Sequence, residues 1–126
     1  MDIYKILAVG LGGFLGSVSR YITVKSVDEK LNAVFPYGTL AVNIIGSLLL
    51  GIIYTLALKK AGVTENWKLF LGAGFCGGFT TFSAFAWENF SLFQQKFIGT
   101  SLLYMSASLV LGILALAVGV WIGRFL

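Results

Sequence analysis

Apolar residues run through the chain in four long blocks separated by short polar segments. A hydrocarbon core about 30 Å thick takes ~20 apolar residues per helix, so blocks of this length read as membrane crossings. The first, residues 3–24, is rich in glycine and closes at Arg20 and Tyr21, and the polar segment from Lys25 to Asn32 reads as a loop. Pro36 has no N–H to satisfy in a first turn and opens the second block, residues 37–58, which ends at Lys59-Lys60. The linker from Ala61 to Asn66 leads to Trp67-Lys68, an interfacial anchor, and to a third block, residues 67–93. A Gln94-Gln95-Lys96 turn precedes the fourth, residues 97–123, which stops at Arg124. The expected fold is an all-α membrane protein, with residues 1–126 forming a single domain of four transmembrane helices.

Composition agrees with a lipid solvent. The chain is 58% hydrophobic and 11% charged, against roughly 45–50% and about 25% in soluble proteins. The first block continues past Gly16 without a small-x-small cleavage site, so it is read as a span and not as a leader. The net charge of +4 is spread over single Lys and Arg residues and one pair, which excludes a nucleic-acid stripe. With Cys76 as the one cysteine and no histidine, neither an internal disulfide nor a His/Cys metal cluster nor an imidazole base can form.

Short connections make antiparallel neighbours, placing the N-terminus, the Lys59–Lys68 linker and the C-terminus on one side of the membrane. Lys5, Lys59, Lys60, Lys68 and Arg124 then face Arg20, Lys25, Lys30 and Lys96 across the bilayer, five of the nine basic residues against four. Lys/Arg asymmetry sets insertion direction. A chain this balanced is expected to insert both ways round and to pair with an inverted copy of itself.

The third block is the anomaly, because Gly72, Gly74, Gly77 and Gly78 are followed by Thr80, Thr81 and Ser83 at the depth where lipid is driest. Irregular backbone at that depth is tolerated where it is buried or lines a polar cavity, and discontinuous helices there can hold ions. Gly77 to Thr80 is the expected break. The string Gly72 to Gly77 matches G-x-G-x-x-G, but it follows no strand and is no nucleotide loop. Close helix packing is the competing account of the glycines, and it suits the pairs Gly12/Gly16, Gly74/Gly78 and Gly119/Gly123.

Candidate chemistry gathers near the break. Phe82 and Phe85 share a helical face, Asn43 is the strongly polar side chain in the middle of the second block, and Ser101, Tyr104 and Ser108 form one face of the fourth. Helix-to-helix bonding remains open for Asn43, and bonding back to their own helix for the serines. Amides, hydroxyls and aromatic edges without a mid-depth carboxylate suit an anion, since a phenyl ring has a positive edge. Individually weak donors hold such an ion without trapping it. Arg20 either snorkels to the interface or draws anions towards a pore mouth. Glu88, one turn past Phe85, falls at a vestibule, where its acidity opposes anions unless a donor pairs it.

Over its whole length the sequence resembles the CrcB/Fluc fluoride channels. The likeness rests on the Gly-rich first helix ending in Arg20, on Gly38-Thr39-Leu40-Ala41-Val42-Asn43, and on the run from Gly74 to Phe85. The resemblance implies an antiparallel, dual-topology homodimer in the cell membrane with two fluoride pores, exporting fluoride passively from the cytoplasm and so relieving its toxicity. It also implies a structural sodium ion at the dimer centre, held by backbone carbonyls of Gly77 and Thr80 from both subunits. Asn43, Phe82, Phe85, Tyr104 and Ser108 match its fluoride-lining positions. Two departures are Ala84, where the pattern has threonine, and Gly112, where a further hydroxyl can extend the track.

Other classes fare less well. A proton-coupled small multidrug transporter needs a carboxylate in its first helix, and residues 3–24 contain no Asp or Glu. An enzyme would need a nucleophile with a base, or metal ligands, and Glu88 stands alone near a membrane segment. A packing subunit with no path remains an alternative that ion flux would decide.

Overall fold

In the computed structural model the described residues are 1–59 and 62–126. Lys60 and Ala61, which the sequence places at the end of the second span and in the linker, lie outside them. Helices α1 (Ile3–Leu31), α2 (Tyr37–Leu58), α3 (Glu65–Lys68), α4 (Gly77–Phe79), α5 (Ser83–Gln94) and α6 (Ile98–Phe125) follow in order, with a π-helical stretch, Leu69–Cys76, between α3 and α4. Among the described residues four segments are long and apolar enough to cross a membrane: α1, α2, the interrupted third span Glu65–Gln94, and α6.

The largest correction concerns Lys25 to Asn32. This segment is not a loop, because α1 continues through it for 29 residues and stops only at Asn32, whose left-handed conformation (φ 44°) ends the helix. Lys25, Asp28, Glu29 and Lys30 mark where the membrane ends, not where the helix ends. At 1.5 Å per residue α1 is about 43 Å long, so its last two turns stand outside a hydrocarbon core about 30 Å thick. There Asp28 Oδ1 accepts the Gly38 N–H at 3.1 Å and caps the start of α2, which Pro36 precedes as N-cap.

The third span is broken, and the break lies slightly later than expected. Gly77 to Phe79 remain helical, Thr80 is extended (φ −91°, ψ 159°), and α5 begins at Ser83. Nothing in the residue pattern marks the eight-residue π-helical stretch ahead of it. Its wider turns leave the Gly77 N–H bonded to both Gly72 O and Gly74 O, and such turns are frequent at functional sites.

Two glycine seams hold the spans together. A Cβ at Gly12 would strike Phe70 O and lie 2.9 Å from Phe75 N, and one at Gly78 would lie 2.6 Å from Gly13 O, so α1 crosses the third span backbone to backbone. Gly51 and Gly119 do the same for α2 and α6, with a Gly51 Cβ falling 2.9 Å from Val120 N. Lipid gives apolar helices no hydrophobic reason to associate, so this close contact is what joins them. Val42, Thr39, Ser101 and Tyr104 form the fully buried centre, while Leu11, Phe14, Ile113 and Leu114 face outward.

The spans alternate as short connections require. Lys59 Nζ donates to the carbonyls of Gly123 (3.3 Å) and Arg124 (3.0 Å), where the negative end of the α6 dipole favours a cation. Tyr4 and Leu7 share an apolar recess with Asn66 and Trp67, bringing the start of α1 beside the start of the third span.

Candidate functional site

A break in a membrane helix leaves peptide groups that neither half can satisfy, and each costs several kcal/mol in hydrocarbon. Asn43, from α2, meets this need at Thr81. Its Nδ2 donates to Thr81 O at 3.1 Å, and its Oδ1 accepts the Thr81 N–H at 2.8 Å. One amide hydrogen of Asn43 is used in this way, leaving the second. Thr81 Oγ1 accepts the Ala84 N–H at 3.1 Å and so caps the start of α5.

The ends of the first half-helix are settled selectively. Cys76 O accepts both the N–H (3.0 Å) and the hydroxyl (2.8 Å) of Thr80. Gly78 O accepts from Arg20 Nε at 3.0 Å, a bond from α1. The carbonyls of Gly77, Phe79 and Thr80 are left without a hydrogen-bond donor among the described residues. No cluster of carboxylate, thiol or imidazole ligands accompanies them among those residues, so a cation at this point would depend on backbone oxygens.

A cavity of about 530 Å³ lies between α2, the third span and α6. Asn43, Thr81, Phe82 and Phe85 line it beside the break, with Gly77 and Thr80, and Ser108 reaches it from α6. Ser108 Oγ is buried and has no hydrogen-bond partner among the described residues. The Phe82 and Phe85 rings sit 5.7 Å apart at 41°, and Phe82 is 79% exposed on the single chain. No carboxylate or basic side chain among the described residues lines the cavity.

Behind this wall the hydroxyl face of α6 serves α5. Tyr104, fully buried, donates to Glu88 Oε1 at 2.8 Å, and Thr39 donates to Glu88 Oε2 at 2.7 Å. Ser101 donates to Asn89 Oδ1 at 2.8 Å, and Asn89 Nδ2 donates to Phe85 O at 3.0 Å. The Tyr104 ring packs 5.1 Å from that of Phe85, so the same tyrosine that binds Glu88 also backs the phenylalanine pair.

The family model described as CrcB-like protein, Camphor Resistance (CrcB), matches residues 7–120. The chain belongs to the CrcB-like family. A protein of Bacteroides fragilis named fluoride-specific ion channel FluC is 43% identical over 123 residues, covering 95% of this chain and 96% of the relative. The protein of the same name from Chlorobium chlorochromatii is 43% identical over 121 residues (96% and 93%), and that from Flavobacterium psychrophilum 42% over 119 (94% and 96%). With its four spans, this CrcB-like chain is a multi-pass membrane protein.

Of the residues singled out in the sequence, the CrcB-like fold brings Asn43, Phe82, Phe85, Ser108, Gly77 and Thr80 to one cavity. Tyr104 and Glu88 meet each other outside its wall, and Arg20 lies on the α1 side of the third span. Thr39 and Thr81 were named in the sequence but given no role of their own, and Asn89 went unnoticed. Thr39 had a signal, since it lies one helical turn before Asn43 and shares its face. Asn89 had only its position, one residue after Glu88.

Proposed function

We propose that this chain is a fluoride-selective channel that exports fluoride passively from the cytoplasm and so relieves its toxicity. The observation that carries this reading is the cavity beside the break, where the spare amide hydrogen of Asn43, the orphan hydroxyl of Ser108 and the rings of Phe82 and Phe85 line one space without a carboxylate. A small anion must exchange its water for donors, and donors of this kind are individually weak, so they can hold it without trapping it. Relatives over 40% identical along nearly the whole chain carry the name fluoride-specific ion channel. No bond is made or broken in this activity, so the protein is a conduit and not an enzyme.

The working unit in this reading is an antiparallel, dual-topology homodimer with two pores. Near-equal basic charge on the two sides supports it. So does the surface at the break, where Phe82 and Gly77 stand exposed on the single chain beside unpaired carbonyls that an inverted copy would cover. The free carbonyls of Gly77 and Thr80, one set from each copy, would hold a structural sodium ion at the centre. Such an ion supplies a fixed positive charge that offsets the cost of leaving those oxygens unpaired. Glu88 does not oppose the anion in this arrangement, because Thr39 and Tyr104 occupy both its oxygens.

The test is efflux from liposomes holding the purified protein with fluoride and chloride together. Passive fluoride release with chloride retained is expected. Proton-dependent drug uptake in place of fluoride release would move the chain to the transporter class, and no flux at all would leave a packing subunit.

A further inference from the structure

The cavity does not end at the break. Along α2 its wall runs from Asn43 to Tyr54, eleven residues or about 16 Å at 1.5 Å per residue. Gly72 and Ala73 face Tyr54 there from the π-helical stretch. This second end lies towards the linker side of the membrane, where α2 finishes and the third span begins.

Two contacts fix the Tyr54 ring. A Cβ on Gly72 would lie 2.6 Å from Tyr54 Cε1 and 3.4 Å from its hydroxyl oxygen, so the ring lies flush against bare backbone. From above, Lys68 Nζ sits 5.3 Å from the ring centroid, within range of a cation–π contact. An ammonium held over a ring that lines the cavity, where no charged side chain is among the described lining residues, raises the local concentration of anions, and the ring keeps that charge from swinging away.

We infer that Tyr54 and Lys68 form the second mouth of the anion path: Lys68 is the charge that draws the anion, and Tyr54 is a positioning residue held in place by the absence of a side chain at Gly72. The inference rests on the channel reading above and adds to it the end of the path remote from Asn43. Gly72 is therefore small for the sake of Tyr54, and the space between α2 and the third span stays open only while the ring lies flat.

Initial fluoride efflux from liposomes tests this at low and at high ionic strength. Lys68→Gln is expected to slow efflux about fivefold at low salt, with the gap closing at high salt as screening shortens the reach of the charge. Lys68→Arg should keep the full rate, because it keeps both the charge and the stacking. Gly72→Ala should slow efflux at both salt concentrations by displacing the ring into the path, and adding Tyr54→Val to it should clear the path and restore the rate at high salt, where the Lys68 charge is screened, a rescue that a merely destabilising glycine substitution would not show. A Lys68→Gln channel as fast as the parent at low salt, or a double variant no faster than Gly72→Ala at high salt, overturns the inference while leaving the channel reading intact. A parent protein that passes no fluoride removes both.

Discussion

Tyr104 and Glu88 meet inside the helix bundle, the phenol donating to Oε1 at 2.8 Å with the tyrosine wholly buried. The bond joins α6 to the half-helix that follows the break and pairs one oxygen of a carboxylate behind the cavity wall. Tyr104→Phe removes the donor alone and leaves the ring against Phe85. Its expected cost is about 1–3 kcal/mol, because a buried acceptor loses its partner. Unfolding in mixed detergent should show that loss, and fluoride efflux should fall as the unpaired oxygen turns repulsive. Glu88→Gln in the Tyr104→Phe background should recover part of the flux.

Asn43 carries a heavier load, because both polar atoms of its amide bind one peptide group of the break. Asn43→Leu leaves the Thr81 N–H and C=O without partners, and a loss of about 2–4 kcal/mol is expected from the two vacancies. Fluoride flux should drop below detection in liposome efflux. Normal flux from a stably folded Asn43→Leu protein would return this residue to a packing role.

Phe82 and Phe85 are proposed to act through ring edges and not through bulk. Isoleucine at either position keeps an apolar side chain of moderate size and removes the edge. Efflux should slow by about tenfold or more, as expected when a contact worth 1.4 kcal/mol or more is lost at the barrier. Unchanged flux in both variants would sink the edge contact.

The glycine seam between α1 and the third span makes a paired prediction. Gly12→Ala drives a methyl group onto Phe70 O and Phe75 N and should cost about 1–3 kcal/mol by overpacking. Gly10, two residues away, has nothing within 4 Å of an added Cβ. Gly10→Ala should therefore be neutral or stabilise by up to about 1 kcal/mol through helix propensity. Equal destabilisation of the two variants in a detergent unfolding titration would remove the seam from the account.

Dual topology predicts a mixed population. A reporter fused after Leu126 should be found on both sides of the membrane, and shifting one basic residue, for example Lys96→Gln, should bias the mixture towards one side. A parent chain whose C-terminus lies on a single side would contradict the antiparallel dimer.

Four spans and the break were legible because they depend on local composition: long apolar runs fix the first, and Gly-Gly ahead of Thr-Thr points to the second. The end of α1 was not, since Lys25 to Lys30 are as acceptable to a helix in water as apolar residues are to one in lipid, and only the left-handed turn at Asn32 stops it. The π-helical stretch left no compositional trace either. At the site, single residues of unusual polarity in apolar surroundings, Asn43 and Glu88, stood out by themselves. Their partners did not: Thr39 and the Thr81 backbone are ordinary in sequence and become informative only when helices far apart in the chain are laid together.

The bond between Asn43 and Thr81 also has a direction in time. Synthesis delivers α2 to the membrane before the third span exists, so the amide that closes the break is already waiting when the break arrives. The interrupted helix then spends little time in lipid with its Thr81 peptide unclaimed. A circular permutant that began with the third span would have to insert that defect first, and slow or failed integration of such a permutant is the expected cost of reversing the order.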